Sequence, residues 1–430
     1  MPNTSKNTKT VSIPLIADTS SGTPSQGMKR ILIFSLNYYP RFIGGAEVAV
    51  KEITDRIDLK DIEFHMVTLR FDADLPEVEQ IGNVFVHRIG FAKKGATIAD
   101  LRKFPLHLNK HWYQLAAVWK AEELHKKYHY DGVWAMMAHS CGIPAGIFKS
   151  RHPDVKYLLT LQEGDPPEHI ERTMKPVASL FSKAFTTADE LQAISTFLLA
   201  WGKRMGFGGK GIVVPNAVDT KHFAHVYPDA DIASMKESLG KKEGEVYMVT
   251  TSRLVHKNAV DDVIMALSHL PENVSFLIYG IGPDEEKLKT QAKVLGLENR
   301  ARFMGEIGHD AMPLMLSACD IFIRPSRSEG MGNSFVEAMA AGLPVIATQE
   351  GGLSDFIYDA KRNPDMPTTA WAVDTDSPEQ IAEAVERILA HPEDTKRVTE
   401  TAKKLAFQKY DWNLIADNMN QVFTSLWKTS

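Results

Sequence analysis

The segment Arg324-Pro325-Ser326-Arg327-Ser328-Glu329-Gly330-Met331-Gly332-Asn333-Ser334-Phe335-Val336-Glu337 changes character twice. It closes the apolar run Ile321-Phe322-Ile323, passes through a loop with two glycines, and opens a helix near Asn333. A buried strand, a glycine loop and a helix in that order form the carboxyl edge of a parallel βα unit. Gly330 and Gly332 let the backbone approach a ligand closely. The free amides of the new helix suit an anion such as phosphate. Glu329 and Glu337 flank that anion site. Both cannot contact phosphate, because like charges repel, so they are read as acceptors of hydrogen bonds from hydroxyls. A molecule with hydroxyls on both sides of a diphosphate is a nucleotide sugar. On local physics alone the same residues also read as a glycine turn followed by two exposed glutamates.

Working outward, strand-like runs at Glu245–Thr250, Val274–Tyr279, Ile321–Arg324 and Val345–Ala347 alternate with helical spacing such as Val260, Val263, Ile264 and Leu267. That is one α/β unit. Between its first strand and helix stand Arg253 and Lys257, two cations that can converge on a diphosphate. An earlier set of runs, Arg30–Leu36, Glu63–Leu69, Val84–Ile89, Gly132–Met136, Lys156–Leu161 and Leu191–Ser195, forms a second unit. Its first loop carries Pro40, Gly44 and Gly45 ahead of Glu47, and a helix is expected from about Ala46 to Ile57. The expected organisation is a flexible arm over 1–27, a first domain over 28–205, a second over 206–410, and an amphipathic helix over 411–430. Ligands of open α/β folds bind at the carboxyl ends of the strands, so a cleft between the two units is the expected site.

These segments together resemble the retaining glycosyltransferases of the GT-B fold, glycosyltransferase family 4 in particular. The resemblance rests on Arg324–Glu337, with its glutamates at fixed spacing, and on Tyr39-Pro40 through Gly44-Gly45-Ala46-Glu47. It also rests on Val213–Asp219 with Phe223, Ser252-Arg253-Leu254, Tyr279–Pro283, Glu337–Ala347, and Gly351-Gly352 before Asp355. It spans roughly residues 28–428 and is most specific over 212–357. It implies two Rossmann-like domains facing each other across a cleft, with the last helix crossing back onto the first. It implies that Glu337 binds ribose hydroxyls, that Glu329 holds hydroxyls of the transferred sugar, and that Arg253 and Lys257 bind the diphosphate. Gly332, Asn333 and Ser334 would complete the phosphate site, and Gly45 would approach from the first domain. The reaction implied is transfer of a sugar from a nucleoside diphosphate to a hydroxyl of a glycan, lipid-linked or small-molecule acceptor, with retention and without a cofactor or an essential metal. The alternatives are a sugar phosphorylase or sugar-phosphate synthase of the same fold, and a catalytically silent binding module.

Two departures from the family pattern stand out. The usual lysine and glycine near 258–259 are here Asn258 and Ala259, with Lys257 one residue early. The histidine usual after the strand Leu159-Thr160-Leu161 is replaced by Gln162-Glu163-Gly164-Asp165. Acceptor-side contacts are therefore expected from Gln162, Glu163 or Asp165, with His139 as a further first-domain candidate.

Composition excludes other classes. The chain has 430 residues, 24% charged and 44% hydrophobic, with a net charge of −5. That balance disfavours disorder and a dedicated nucleic-acid binder. Two cysteines, Cys141 and Cys319, make no disulfide framework and suit a reducing, cytoplasmic compartment. The residues before 28 lack the apolar core of a secretory signal. Asp-x-Asp pairs at Asp72/Asp74, Asp229/Asp231 and Asp374/Asp376 read as solvated loop acids rather than metal ligands. His107/His111 and His125/His129 read as surface histidines. Residues 93–130 interleave Lys93, Lys94, Arg102, Lys103, Lys110, Lys120, Lys126 and Lys127 with Phe104, Trp112, Tyr113 and Trp119. This pattern suits peripheral contact with an anionic membrane. The preferred reading, however, is a solvated basic helix whose aromatics pack inward.

Overall fold

The structure is a computed structural model that describes residues 27–41, 44–97, 100–101 and 103–428. The arm expected over 1–27 lies, apart from Gly27, outside the described residues. Two sheets organise the chain. The first contains β1 (Lys29–Phe34), β2 (Ile62–Leu69), β3 (Val78–Ile81), β4 (Val84–Ile89), β5 (Gly132–Met136), β6 (Lys156–Leu161), β7 (Glu190–Ala193) and β8 (Ile212–Val213). The second contains β9 (Val246–Thr251), β10 (Val274–Tyr279), β11 (Ala301–Gly305), β12 (Ile321–Arg324), β13 (Val345–Ala347) and β14 (Trp371–Ala372). Their orders are β3-β4-β2-β1-β5-β6-β7-β8 and β11-β10-β9-β12-β13-β14. Every pairing is parallel except the β3–β4 hairpin.

Central strands such as β5 and β12 are buried along their whole length. Helices cover both faces of such sheets, so the strands read as continuous apolar runs rather than alternating ones. The strands not anticipated are those that carry little apolar signal. The β3 strand, Val78-Glu79-Gln80-Ile81, is an edge with exposed and half-exposed residues only, and β8 and β14 have two residues each. The β11 strand is mostly half-buried and contains Arg302.

The terminal helix, Trp412–Ser425, lies against the first sheet. Phe423 packs edge-on to Trp134 at 5.0 Å and to Phe64 at 5.7 Å between ring centroids. A separate apolar cluster runs through both units and includes Leu161 and Leu198 of the first with Phe335, Phe356 and Tyr410 of the second. Asp355 of the second unit accepts from the backbone amide of Thr196 at 2.8 Å, and also from its hydroxyl. The amide belongs to the open first turn of the helix Thr196–Arg204, where a carboxylate is favoured.

The fold corrects two expectations from the sequence. Asp72 is not solvated. It is fully buried, pairs with Arg41 at 2.8 Å, and accepts from the amides of Asp74 and Gly95. Those amides and Arg41 hold its carboxyl below the usual range. A carboxylate so occupied is a loop organiser. The aromatics of 93–130 do not pack inward as a group. Tyr113 is buried, but Phe104, Trp112 and Trp119 are exposed.

Candidate active site

The Arg324–Glu337 segment leaves β12 at the carboxyl edge of the second sheet. Gly332 stands at φ +84°, ahead of the helix Asn333–Ala341. A side chain there would strain the backbone and run into Phe335 and the Arg324 guanidinium. The last residue of β12, Arg324, is buried and lies 4.3 Å from the centroid of Phe335. Its Nη2 donates to Glu329 Oε2 at 2.9 Å and its Nη1 to Ser334 Oγ at 2.9 Å. The sequence reading missed this residue as part of the site. Its signal was there: a charged side chain closing a fully apolar strand must find a partner when buried.

Glu337 sits one turn further along the same helix. Burial pushes its carboxyl up to about 7, against the pull of Arg324. His309 Nε2 lies 3.9 Å from Glu337 Oε1, and the His309 ring stacks on His222 at 5.4 Å between centroids. Among the described residues, His222, His309 and Asp310 bring their ligand atoms within 4.8 Å of one another. His222 Nε2, however, is engaged with the His309 carbonyl at 3.2 Å.

The raised pKa carries a signed prediction. A carboxyl that is harder to ionise when folded makes the native state bind more protons than the unfolded chain between about pH 4.5 and 7. Stability is therefore lost as pH rises through that window. Glu337→Gln should stabilise the ligand-free protein by roughly 1–3 kcal/mol at pH 8, with the gain vanishing near pH 5. Denaturant titrations at the two pH values measure it, and an equal effect at both would refute it.

The loop after β9 carries the two cations. Arg253 is exposed, and its guanidinium has no acidic partner among the described residues. Lys257 Nζ donates to the carbonyl of Gly164 in the first unit at 2.5 Å. A methyl placed on Gly164 would lie 2.7 Å from that ammonium and 4.0 Å from Glu329 Oε1. Lys257, Gly164 and Glu329 thus meet across the cleft. Asn258 does not face it: its side chain is buried and donates to the Arg253 carbonyl at 2.6 Å, folding the loop back on itself. Ala259 holds φ +53°, a left-handed conformation that explains why glycine suits this place better. Arg327, also missed by the sequence reading, ties this loop to the Arg324–Glu337 loop. It bonds Asp261 at 2.9 Å, Asp262 at 2.8 Å, Asp376 at 2.7 Å and the His256 carbonyl at 2.7 Å.

From the first unit, a methyl placed on Gly45 falls 3.7 Å from the Asn333 side-chain amide. Glu47, two residues on, accepts from the Gly44 amide at 3.0 Å and so caps its own helix. Burial pushes its carboxyl up to about 7. Glu163 is buried, and Oε1 accepts from the Ala138 amide at 2.6 Å and faces His139 Nδ1 at 3.4 Å. His139 Nε2 in turn meets Ser140 Oγ at 2.9 Å. Glu163 Oε2 is buried and without a partner among the described residues. The Glu163 carbonyl presses on the second unit so closely that a methyl on Gly330 would lie 2.3 Å from it. Gln162 accepts from Asn216 at 3.2 Å, whereas Asp165 is exposed and makes no side-chain bond among the described residues.

Residues 43–222 match the family model described as Glycosyltransferase Family 4, and residues 231–405 the one described as Glycosyl transferases group 1. An uncharacterized glycosyltransferase of Methanocaldococcus jannaschii is 22% identical over 429 residues, covering 92% of this chain and 97% of the relative. A GDP-mannose-dependent α-(1-6)-phosphatidylinositol monomannoside mannosyltransferase of Mycolicibacterium smegmatis is 31% identical over 210 residues, 46% of this chain and 52% of the relative. Among solved structures, sucrose-phosphate synthase from Thermosynechococcus elongatus superposes with a TM-score of 0.75 at 20% identity, covering 93% of this chain and 99% of that one. Anabaena HepE in complex with UDP-glucose gives 0.72 at 21%, covering 92% and 99%. At such identities the structural likeness speaks for the fold alone. The sequence models speak for the family, and by the two together the chain belongs to the GT-B glycosyltransferases of the family-4-like type.

Proposed function

We propose that the chain transfers a sugar from a nucleoside diphosphate to an acceptor hydroxyl, retaining the anomeric configuration and needing no metal. The observation that carries this reading is the convergence of Lys257, Glu329 and the Gly164 carbonyl at one point of the cleft. In the reaction the anomeric C–O bond to the diphosphate breaks and the acceptor oxygen bonds to the same carbon. The acceptor proton goes to the leaving phosphate on the same face. Negative charge growing on that phosphate meets Arg253, Lys257 and the amides of Asn333 and Ser334. Glu329 is held by Arg324, which suits a hydrogen-bond acceptor for sugar hydroxyls and argues against a covalent nucleophile. In this reading Glu337 binds the ribose hydroxyls. His139 and Glu163 face the acceptor side. The acceptor is a glycan, a lipid-linked molecule or a small molecule. Two buried, unpaired thiols suit a cytoplasmic, reducing setting.

The test is a thermal-shift panel of UDP, GDP, ADP and their common sugar conjugates, with and without magnesium. One nucleotide should raise the melting temperature in a concentration-dependent way, equally in EDTA, and the shift should vanish in Arg253→Ala. No shift with any nucleotide, or a strict magnesium requirement, would count against the reading.

A further inference from the structure

The first unit carries an exposed apolar stripe that the fold does not use. Phe104 is 80% exposed, Trp119 59% and Leu115 55%, with Trp112 at 40%. Trp112, Leu115 and Trp119 recur at helical spacing on the helix Asn109–Tyr128, while Tyr113, Ala116 and Ala117 face the core. The rings cluster on the surface: Trp112 lies 5.7 Å from Trp119 and 6.0 Å from Phe91 between centroids. A solvated helix has no need of two neighbouring tryptophans on its outer side, and contiguous exposed apolar surface marks a contact.

Charge identifies the partner. Residues 91–120 hold Lys93, Lys94, Arg102, Lys103, Lys110 and Lys120 against one acid, Asp100, in a chain whose net charge is −5. Lys103 is paired with Asp100 and Lys120 with Glu123. Lys93, Lys94 and Lys110 have no acidic partner among the described residues. Amphipathic rings in a cation-rich segment fit the headgroup layer of an anionic bilayer, where tryptophan is favoured and lysine is drawn to phosphate. A second copy meeting this stripe isologously would set the same lysines against one another.

Position relates the stripe to the cleft. The Asn109 side chain clasps the backbone of Phe91 through bonds of 2.8 and 2.9 Å, so the helix begins at the carboxyl edge of the first sheet, just beyond β4. From the inner side of the same helix, Gln114 donates to the Ser140 carbonyl at 2.9 Å, next to His139. Membrane on one side of the helix therefore lies one helix thickness from the acceptor side of the cleft.

We propose that Phe104, Trp112, Leu115 and Trp119, with Lys93 and Lys94 beside Phe91, seat the first unit on a bilayer of anionic lipid. The consequence that a lipid-borne acceptor reaches the cleft from this side rests on the proposed transfer reaction; the binding itself does not. The experiment is co-sedimentation of the full chain with phosphatidylcholine vesicles, with and without phosphatidylglycerol, at about 0.1 M and about 0.5 M salt. The expected result is binding only to the anionic vesicles, weakened by salt, with a blue shift of tryptophan emission. A Phe104→Ser/Trp112→Ser/Trp119→Ser variant with an unchanged melting temperature should bind at least about tenfold less. Lys93→Glu/Lys94→Glu should lose most of the preference for anionic lipid. No sedimentation of the parent chain, undiminished binding by the aromatic variant, or a self-association lost in that variant without any vesicle effect would each overturn the proposal. Loss of nucleotide binding with vesicle binding intact would strike at the transfer reaction instead.

Discussion

Arg253→Ala should lower sugar transfer roughly 10²–10³-fold, the cost of removing one preorganised stabiliser of a developing anion, about 2.7–4 kcal/mol. The same change should move folding stability by no more than about 0.5 kcal/mol. The two expectations separate because the Arg253 guanidinium is exposed and has no acidic partner among the described residues. Only its backbone is used by the fold, where the carbonyl receives Asn258. Glu329→Gln should cost a comparable factor in transfer. The amide is nearly isosteric, yet it loses the charge that Arg324 orients and accepts hydroxyl bonds more weakly. Steady-state transfer assays set beside denaturant curves give both quantities. Turnover unchanged in both variants would remove the proposed donor site.

Arg324→Met should destabilise the chain by about 3–5 kcal/mol, because truncating one member of a buried ion pair leaves the other buried and uncompensated. The loss exposes Glu329 and Glu337 to each other in a poorly solvated pocket, and Ser334 Oγ loses its donor. Arg324→Lys should be intermediate. A single ammonium cannot reproduce the fork that reaches Glu329 and Ser334 together. Urea titration reads both values. A methionine variant as stable as the parent would mean that the guanidinium is a passenger rather than the prop of the glutamate loop. If the prop is real, the lysine variant should also show a lower kcat with KM less affected, since the group it misplaces acts on the sugar in the proposed reaction.

Much of the architecture was written in local pattern. Runs such as Gly132–Met136, Lys156–Leu161, Val274–Tyr279 and Ile321–Arg324 appear in the fold with the expected bounds, because strands covered on both faces are apolar throughout. The elements that escaped notice lacked that imprint. The β3 strand is held by pairing with β4 rather than by burial, and β11 is mostly half-buried at a sheet edge. The glycine-flanked loops of the cleft were legible for the same local reason, a strand followed by glycine and a helix start. Arg324 and Arg327 were not, because their work lies in partners far along the chain or hidden by folding: Asp261 and Asp262 reach Arg327 from the first turn of the helix Val260–Ala266, and Asp376 from a turn further on. The burial of Asp72 under Arg41 and the outward turn of Trp112 and Trp119 likewise depend on tertiary packing that residue spacing does not encode.

The bond from Lys257 to the Gly164 carbonyl has an evolutionary consequence. It joins the second unit to the first through a main-chain atom, so no side chain in the Gln162–Asp165 loop is needed to hold the lysine in place. The lysine itself constrains position 164, since a side chain there would meet the ammonium, and the neighbouring Glu163 is fixed separately by its buried bond from the Ala138 amide. On the proposed transfer reaction, the exposed Asp165 and the half-buried Gln162 are the positions that can change chemistry toward a different acceptor while the donor half keeps its grip. On the proposed reaction, a lineage built this way can exchange one acceptor for another by drift at those two positions, without first rebuilding the half assigned to the activated sugar.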